Sequence, residues 1–423
     1  MRLLGVAACA VFLCACGGGD DSSQTDASSD ASPKDVSAEA AHDAAVEAAP
    51  PKIDAGYPGP HSAAPQVDTL GGAVLTAPNV VPIFFPNDPS ETDVESFLAA
   101  LASGSFWSAA TSEYGVGPLT VDKSVVVTDT PPMTTTSTQI EAWLDSYLDG
   151  THPEFPAITA NNVYVVFYPA TTTISDDIVG TACVDYGGYH DESANASKQN
   201  FIYAVMPRCS TFGYLNGLDA LTGPLSHEIE EAATDPHPQT APAYAIADQD
   251  HMVWNLAPLG ELGDMCAYEP QSFQRLVGSY MVQRLWSNVS AKAGHDPCAP
   301  VLAAPYYNAA PVFTETVTLD YAGQKITTKG SQISLGKSKT IDVQLFSDAP
   351  TSDWSVTAVD TTYGTNQPQQ LDFQWDAQTG NNGDVFHVTI TRLANGPYNG
   401  SEFYLYASRD QQTWNMWFGF VQN

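Results

Sequence analysis

The residues best suited to chemistry lie in residues 225–236, which read LSHEIEEAATDP. Ile229 and the alanines favour a helix. The final Asp-Pro pair predicts the end of that helix, because the residue before proline avoids the α conformation. His227 and Glu231 are four positions apart and therefore lie on one helix face, with Glu228 next to the histidine. Two ligands at this spacing can hold a metal ion, and the residue after the first can act as general base.

This HExxE pattern is similar to the ligand helix of zincin peptidases, with one difference. Glu231 stands where a second histidine is usual, and zinc accepts carboxylate oxygen as well as imidazole nitrogen. Because the motif is short, a solvated acidic helix with a buried or capping His227 is the simpler alternative. A metal site therefore needs a further ligand from elsewhere in the chain.

A second acidic segment supplies candidates for that ligand. Residues 260–266 read GELGDMC, which places Glu261 and Asp264 three positions apart beside a cysteine. A catalytic zinc ion takes three protein ligands. Glu261 or Asp264 would complete the pair His227 and Glu231, and the sequence does not choose between them.

Zinc is the expected cofactor, with one ion per chain, and calcium is the alternative. Zinc activates a water molecule for attack on a peptide carbonyl, and Glu228 would accept the proton of that water. Calcium prefers many oxygen ligands, which these acidic segments offer. His227 favours zinc, because a hard calcium ion has little use for imidazole.

Another candidate, His190, ends the segment CVDYGGYH at residues 183–190. It lies beside glycines and near a cysteine that a disulfide would fix in place. It could reach the site as a catalytic donor to a developing oxyanion, or as a further metal ligand. A histidine that makes only local hydrogen bonds in a turn is the alternative.

The N-terminus predicts export. Residues 1–16 carry one positive charge and then an apolar run, which is typical of a secretory signal peptide. Residues 13–16 read LCAC and resemble a bacterial lipobox with Cys16 as the lipidated residue, and an ordinary cleaved signal is the alternative. Because Gly17 rather than aspartate follows, we expect the outer membrane or the cell surface, with the lipid as membrane anchor.

Composition sets further limits. Residues 17–66 are rich in alanine, aspartate and serine without an apolar period, which predicts a disordered acidic tether. The whole chain has a formal net charge of -33 and only 15 lysines and arginines. These values argue against nucleic acid as a partner and against electrostatic docking to anionic lipid.

Cysteine usage fits an exported chain. Of seven cysteines, two lie in the signal peptide and Cys16 would carry the lipid. The remaining four allow two disulfides in three possible pairings. Cys183–Cys209 and Cys266–Cys298 are favoured, because each pair brackets one local segment. Metal ligation by cysteine is disfavoured, since no CxxC spacing occurs.

Two domains follow the predicted tether. Residues 67–300 alternate strands and helices, which indicates an α/β domain, zincin-like, with a mixed sheet against the ligand helix. Residues 301–423 contain about seven short alternating segments, which predicts an all-β sandwich with its tryptophans mostly in the core. Predicted helices cover residues 91–110 and 138–148, and predicted strands cover residues 73–86, 119–127, 162–168 and 201–205.

Six segments within residues 71–298 occur together in this chain. They are GGAVLTAPNVVPIFF, SEYGVGPL, CVDYGGYH, SHEIEEAATDP, GELGDMC and YMVQRLWSN. As a set they resemble secreted bacterial proteins related to the plant phosphate-induced, exordium-like family. The resemblance implies a secreted or cell-surface protein with a metallopeptidase-like site. The positions that match this site are His227, Glu228, Glu231, Glu261 and Asp264.

Together these features predict an exported lipoprotein with a zinc-dependent peptidase site that acts on a peptide or protein substrate. The alternative is a non-catalytic binding or adhesion module at the cell surface. Such a module would bind a surface ligand and hold a structural or vestigial metal ion.

The lipobox can be tested by substitution. Cys16→Ser should abolish incorporation of labelled fatty acid, because the thiol that carries the lipid is lost, and the chain should stay unprocessed or be released from membranes. Cys14→Ser is the matched control and should still be labelled. A Cys16→Ser chain that is labelled and sediments with membranes would show that the lipobox prediction is wrong.

Overall fold

The computed structural model describes residues 56–423 except 177–179, 257–259 and 322–323. The predicted signal peptide, the lipid site at Cys16 and residues 17–55 of the predicted tether lie outside the described residues. Strands make up 37% of the structure and helices 20%, so the protein is richer in strands than simple alternation implies. Of the helices in the described residues, none is both long and apolar enough to span a bilayer.

The helices of the described residues are mostly short. The α-helices are α1 (Glu91–Ser103), α2 (Ser105–Thr111), α3 (Ser137–Tyr147), α4 (Asp219–Thr234), α5 (Asp264–Ala267) and α6 (Asn288–Ala293). Short 3-10 helices lie at Ser112–Tyr114, Gln249–Asn255, Pro270–Ser272 and Pro397–Asn399. The longest, α4, contains the HExxE motif.

The first part of the chain is built around one mixed sheet. All strands in this part of the chain, inside and outside that sheet, are β1 (Val67–Thr69), β2 (Asn79–Phe84), β3 (Thr120–Val121), β4 (Val125–Val126), β5 (Thr134–Thr136), β6 (Asn162–Tyr168), β7 (Thr173–Asp176), β8 (Gly180–Thr181), β9 (Tyr189–Ala194), β10 (Asn200–Pro207), β11 (Thr211–Phe212), β12 (Leu215–Asn216), β13 (Tyr244–Ala247), β14 (Phe273–Val277), β15 (Tyr280–Gln283), β16 (Leu285–Trp286) and β17 (Cys298–Ala299). The mixed sheet has the order β3-β2-β6-β10-β9, and β4 also pairs with β2. Strands β2, β6 and β10 are parallel, whereas β9 runs antiparallel to β10 at the edge.

The central strand β6 explains how the sheet is held. It reads NVYVVFY and is buried along its whole length, as expected for a parallel strand that is covered on both faces. Successive side chains point to opposite faces. Val165 lies in the core that includes residues of α1 and α4, whereas Val166 lies in the core that includes residues of α3. The sheet is therefore a layer between helices.

Several predicted elements differ in detail from the structure. The predicted helix over residues 91–110 is two helices, because Gly104 between them adopts an extended conformation (φ -82°, ψ 168°). The predicted strand over residues 119–127 is the two short strands β3 and β4. Helix α3 and strand β6 occur within one residue of the predicted bounds, and the predicted strand over residues 201–205 is the core of β10.

The C-terminal part consists of strands only, apart from one 3-10 turn. They are β18 (Tyr307–Pro311), β19 (Glu315–Tyr321), β20 (Gln324–Gln332), β21 (Ser338–Ser347), β22 (Trp354–Asp360), β23 (Leu371–Trp375), β24 (Thr379–Gly380), β25 (Val385–Arg392), β26 (Ser401–Ser408) and β27 (Asn415–Gln422). They form one sheet of order β18-β21-β25-β23 and another of order β19-β20-β27-β26-β22-β24. Strands β18 and β20 were not predicted, because their sequences, YNAAP for β18 and QKITTKGSQ for β20, lack a clear apolar alternation.

The two C-terminal sheets share one apolar core. Phe373 of the first sheet and Phe403 of the second have ring centroids 5.6 Å apart. Trp354 and Trp417 are 1% and 3% exposed, so they are core residues as predicted. Trp375 and Trp414 are only partly buried. This arrangement is compatible with the predicted β-sandwich.

Residues of both parts of the chain pack into one continuous core. The rings of Trp254 and Phe418 have centroids 4.6 Å apart. The backbone amide of Met416 donates to Glu269 Oε1 at 3.0 Å, and the indole of Trp414 donates to the Tyr268 carbonyl at 3.0 Å. The C-terminal sheets therefore brace the segment that follows α5.

Residues 56–66 correct the predicted extent of the tether. The amide of Gly59 donates to Asn382 Oδ1 at 2.7 Å, and Ser62 Oγ donates to the Pro311 carbonyl at 2.9 Å. His61 contacts the edge of the Phe346 ring, with centroids 3.8 Å apart. These partners lie about 250 residues or more downstream in the chain, so local composition could not predict this packing.

The buried carboxyl of Glu402 on β26 generates a stability prediction. Burial raises its pKa to about 8, and its Oε1 atom has no hydrogen-bond partner among the described residues. Because the pKa in the folded state lies above the unfolded value, the protonated form is favoured by folding. The contribution of Glu402 to the free energy of unfolding should therefore be fully present below about pH 4.5 and be lost by up to about 1.4 kcal/mol per pH unit toward pH 8.

Glu402→Gln should remove this dependence, because the amide stays neutral. We expect the variant to gain stability relative to the parent chain between pH 5 and pH 8, as measured by urea unfolding at each pH. Glu315→Gln on β19 is the control, since hydrogen bonds from Gln332 and Lys339 lower the pKa of Glu315 instead. If the difference in unfolding free energy between Glu402→Gln and the parent chain stays constant from pH 5 to pH 8, the raised pKa of Glu402 is contradicted.

Candidate metal centre

Helix α4 carries the HExxE motif through the interior of the protein. It ends at Thr234, before Asp235 and Pro236, as predicted, but it begins at Asp219, before Pro224. All of residues 220–234 are buried. The helix packs between β10 of the mixed sheet and the hairpin of β14 and β15. The alternative of a solvated acidic helix face is therefore wrong.

Three donor groups converge at one point on this helix. His227 Nε2 lies 3.1 Å from Glu231 Oε2 and 3.6 Å from Asp264 Oδ1. The donor atoms of all three residues lie within 4.8 Å of one another, and all three residues are buried. Ligand atoms around a four-coordinate zinc ion are about 3.3 Å apart, since each zinc–ligand bond measures about 2.0–2.1 Å. The three groups could therefore hold a metal ion, and their spacing is compatible with zinc.

Of the two residues predicted as a third ligand, Asp264 is the one that lies beside His227 and Glu231. It begins α5, and its backbone amide donates to Glu231 Oε1 at 3.0 Å, which fixes the loop against the ligand helix. Glu261 lies outside the group of donors within 4.8 Å, although its carboxyl is close enough to act electrostatically on Glu231 and His190. The prediction that either residue could complete the set is resolved in favour of Asp264.

A glycine permits this approach. A Cβ atom at Gly263 would lie 2.7 Å from both Glu231 Oε1 and His227 Nδ1. Real Cβ atoms do not approach other atoms so closely, so with any larger residue the loop or these two donor side chains would have to move. The glycine before Asp264 in GELGDMC is therefore needed for the site.

Gln283 at the end of β15 orients the histidine, and sequence reasoning missed it. His227 Nδ1 lies 3.0 Å from Gln283 Oε1, and the Gln283 amide nitrogen donates to the Gly263 carbonyl. The Gln283 oxygen thus faces the ring and accepts the Nδ1 proton, so Nε2 faces the carboxylates and would offer its lone pair to a metal ion bound among them. Such outer partners fix the tautomer of a metal-binding histidine. Gln283 lies in the segment YMVQRLWSN, to which no role had been assigned.

His190 lies on the edge strand β9, not in a turn. It pairs with Ala204 of β10 in the strand register. Its Nδ1 atom lies 3.5 Å from Glu228 Oε2 and 3.7 Å from Glu231 Oε2. Both ring nitrogens are buried and have no hydrogen-bond partner in the described part of the chain. The residue therefore belongs to the site, as one of the two sequence interpretations expected.

The electrostatics of the site are dominated by carboxylates. Burial lowers the pKa of His190, but Glu261, Glu228 and Glu231 outweigh burial and raise it to about 10. Burial and the neighbouring Glu231 carboxylate raise the pKa of Asp264 and of Glu261 well above the usual range. For Glu231, burial acts in the same direction, but His227 outweighs it and lowers the pKa. These shifts show a strongly negative interior.

The two predicted disulfides are present and hold the segments next to the site. Cys183 is bonded to Cys209, and Cys266 is bonded to Cys298. The first bond holds the loop before His190 against the end of β10. The second holds α5, which carries Asp264, against β17. The preferred pairing is confirmed.

A small open pocket of about 60 Å³ lies over the donor groups. Its apolar wall includes Phe212, Pro224 and Phe273, and its polar wall includes the three donors and Glu228. A Cβ atom at Gly187 would lie 2.7 Å from the Phe212 ring. The glycine before β9 therefore allows the edge strand to approach the pocket.

Comparisons with known proteins do not assign a family. The chain matches no protein-family model and no curated protein. One similar solved structure is that of Dpr1 IG1 bound to DIP-eta IG1. It is 10% identical, covers 26% of this chain and 93% of its own chain, and has a TM-score of 0.15. This similarity supports no conclusion about function.

The role of Gln283 can be measured directly. Gln283→Leu removes the acceptor that orients His227, so zinc affinity should fall by about 10–100-fold, the usual effect of losing such a partner. Competition with a chromophoric chelator measures the affinity, and thermal unfolding monitors the fold. Gln283→Glu keeps an acceptor and should lose less. Gln274→Leu on the neighbouring strand β14 is the control. An equal loss of zinc affinity in that variant would contradict the role of Gln283 in orienting His227.

Proposed function

We propose that this chain is an exported zinc-dependent peptidase. The main support is the convergence of His227, Glu231 and Asp264, with Glu228 and His190 beside them, at the base of an open pocket. An imidazole and two carboxylates form a donor set that suits zinc better than calcium. The pocket gives a peptide chain access to these groups.

The domain of residues 67–300 is proposed to be zincin-like. The mixed sheet supports this, since its antiparallel edge strand β9 lies beside the ligand helix α4 and carries His190. We also propose a relation to the exordium-like family over residues 71–298. Its support is the set of motifs, because the segments CVDYGGYH, SHEIEEAATDP, GELGDMC and YMVQRLWSN meet at this one site.

When bound, zinc would polarise the scissile carbonyl and activate a water molecule. Glu228 lies next to the donor set, with Oε1 4.0 Å from His227 Nε2, and is placed to accept the proton of that water. The water oxygen bonds to the carbonyl carbon, Glu228 passes the proton to the leaving amide nitrogen, and the carbon–nitrogen bond breaks. His190, when protonated, offers an N–H group to the developing negative charge.

The proposed location is the bacterial outer membrane or cell surface, with a lipid on Cys16 as the anchor. Two disulfides support an oxidising compartment, because such bonds persist in exported proteins. The acidic segment would hold the folded part away from the membrane. A peptide or protein outside the cell would be the substrate.

The experiment compares two neighbouring residues with different roles. At one equivalent of zinc, Glu228→Gln should retain about one zinc per chain and lose peptidase activity by about 100-fold or more, because only the proton acceptor is removed. His227→Ala should lose the metal as well. Zinc is measured by elemental analysis and activity on a broad peptide library.

Other outcomes separate the alternatives. Equal loss of zinc in both variants would show that Glu228 is a ligand of the proposed zinc ion or a structural residue. A fully zinc-loaded chain that cleaves no peptide would contradict the peptidase function. Calcium or no metal after expression with excess zinc would favour a cell-surface binding or adhesion module.

A further inference from the structure

The site contains two groups of donor atoms rather than one. His227, Glu231 and Asp264 form the first group, and His190, Glu228 and Glu231 form the second. In each group the donor atoms lie within 4.8 Å of one another, and every member is buried. Only Glu231 belongs to both groups. The proposed zinc ion uses the first group and leaves the second without an assigned ligand.

An unpartnered side chain marks the second group. His190 Nδ1 faces Glu228 Oε2 at 3.5 Å and Glu231 Oε2 at 3.7 Å, which are close to the separations between ligands of one zinc ion. Neither ring nitrogen has a hydrogen-bond partner among the described residues. Buried polar groups are nearly always satisfied, and the Glu228 and Glu231 carboxylates satisfy this ring only as long ion pairs, an arrangement that a cation bound between them would complete.

The site also contains more carboxyl groups than the first donor group uses. Glu228, Glu231, Glu261 and Asp264 supply four carboxyl groups, and the first donor group takes two of them. In the described part of the chain, these carboxyl groups pair with His190 and His227 and with no lysine or arginine. Glu228 therefore lies beside His190 as a further possible ligand for a cation.

We infer that His190, Glu228 and Glu231 form a second, weaker site for a divalent cation, and that its occupation inhibits the peptidase. This inference rests on the proposed function for its inhibitory part. The second site is weaker because its histidine is not oriented. Gln283 fixes the ring of His227, whereas His190 has no such partner, and outer partners of this kind raise metal affinity.

Inhibition follows from the two uses of Glu228. When only the first donor group holds zinc, the lone pairs of the Glu228 carboxylate accept the proton of the attacking water. A cation held by Glu228 Oε2 and His190 Nδ1 would occupy those lone pairs. Excess zinc therefore removes the proton acceptor while the first zinc ion stays bound.

The test is a zinc titration of the purified full chain, with native mass spectrometry for stoichiometry and chelator competition for affinity. We expect two zinc ions at excess metal and activity that rises with the first ion and falls with the second. His190→Ala and the more conservative His190→Gln should hold one zinc ion, with second-site affinity reduced by more than about 100-fold. Thermal unfolding checks that both variants are folded.

His387→Ala is the control, because His387 is an exposed histidine on β25 beside Asp376 and Asp342. It should leave both zinc affinities unchanged. A parent chain that never holds more than one zinc ion overturns the inference, as does a second ion that persists in both His190 variants. A second ion that binds without inhibition overturns the regulatory part. Two bound ions without peptide cleavage contradict the proposed function but leave the second site standing.

Discussion

The burial of ionisable groups on α4 is the constraint on which the rest of the structure depends. Residues 220–234 are enclosed, yet they include His227, Glu228 and Glu231. A buried carboxylate is stable only with compensating partners. The surrounding elements supply these partners in part, through the amide of Asp264 and the ring of His190. The remaining carboxyl groups are the physical reason why this place could hold a cation.

The neighbouring segments are arranged to reach this helix closely. The edge strand β9 brings His190, α5 brings Asp264, and β15 brings Gln283. Glycines permit the contacts, since a Cβ at Gly188 would lie 2.9 Å from the Glu228 side chain, in addition to the clash at Gly263. Small residues thus stand where backbone must lie against ligand side chains.

The C-terminal sheets have a structural part in the site. They contact the segment directly after α5, where Trp414 bonds to the Tyr268 carbonyl and Met416 bonds to Glu269. Gln271 in the same segment also bonds to the Trp414 carbonyl at 2.6 Å. With the disulfide of Cys266, these bonds hold an otherwise irregular segment. The C-terminal sheets therefore stabilise the loop that supplies the third donor.

The sequence by itself determined those features that depend on local patterns. Helical spacing placed His227 and Glu231 on one face, the Asp-Pro pair ended α4, and the apolar run at residues 162–168 produced β6. It also supplied the preferred disulfide pairing. These properties depend on residues close together in the chain, so propensity and spacing are sufficient to predict them.

Only the tertiary structure decided how distant segments meet. Asp264 rather than Glu261 joins the donor set, because α5 starts at Asp264 and its amide binds Glu231. His190 and Gln283 enter the site through strand pairing, and residues 56–66 pack on strands about 250 or more positions away. Such contacts depend on the register and packing of whole elements, which leave no local signal in the residues that make them.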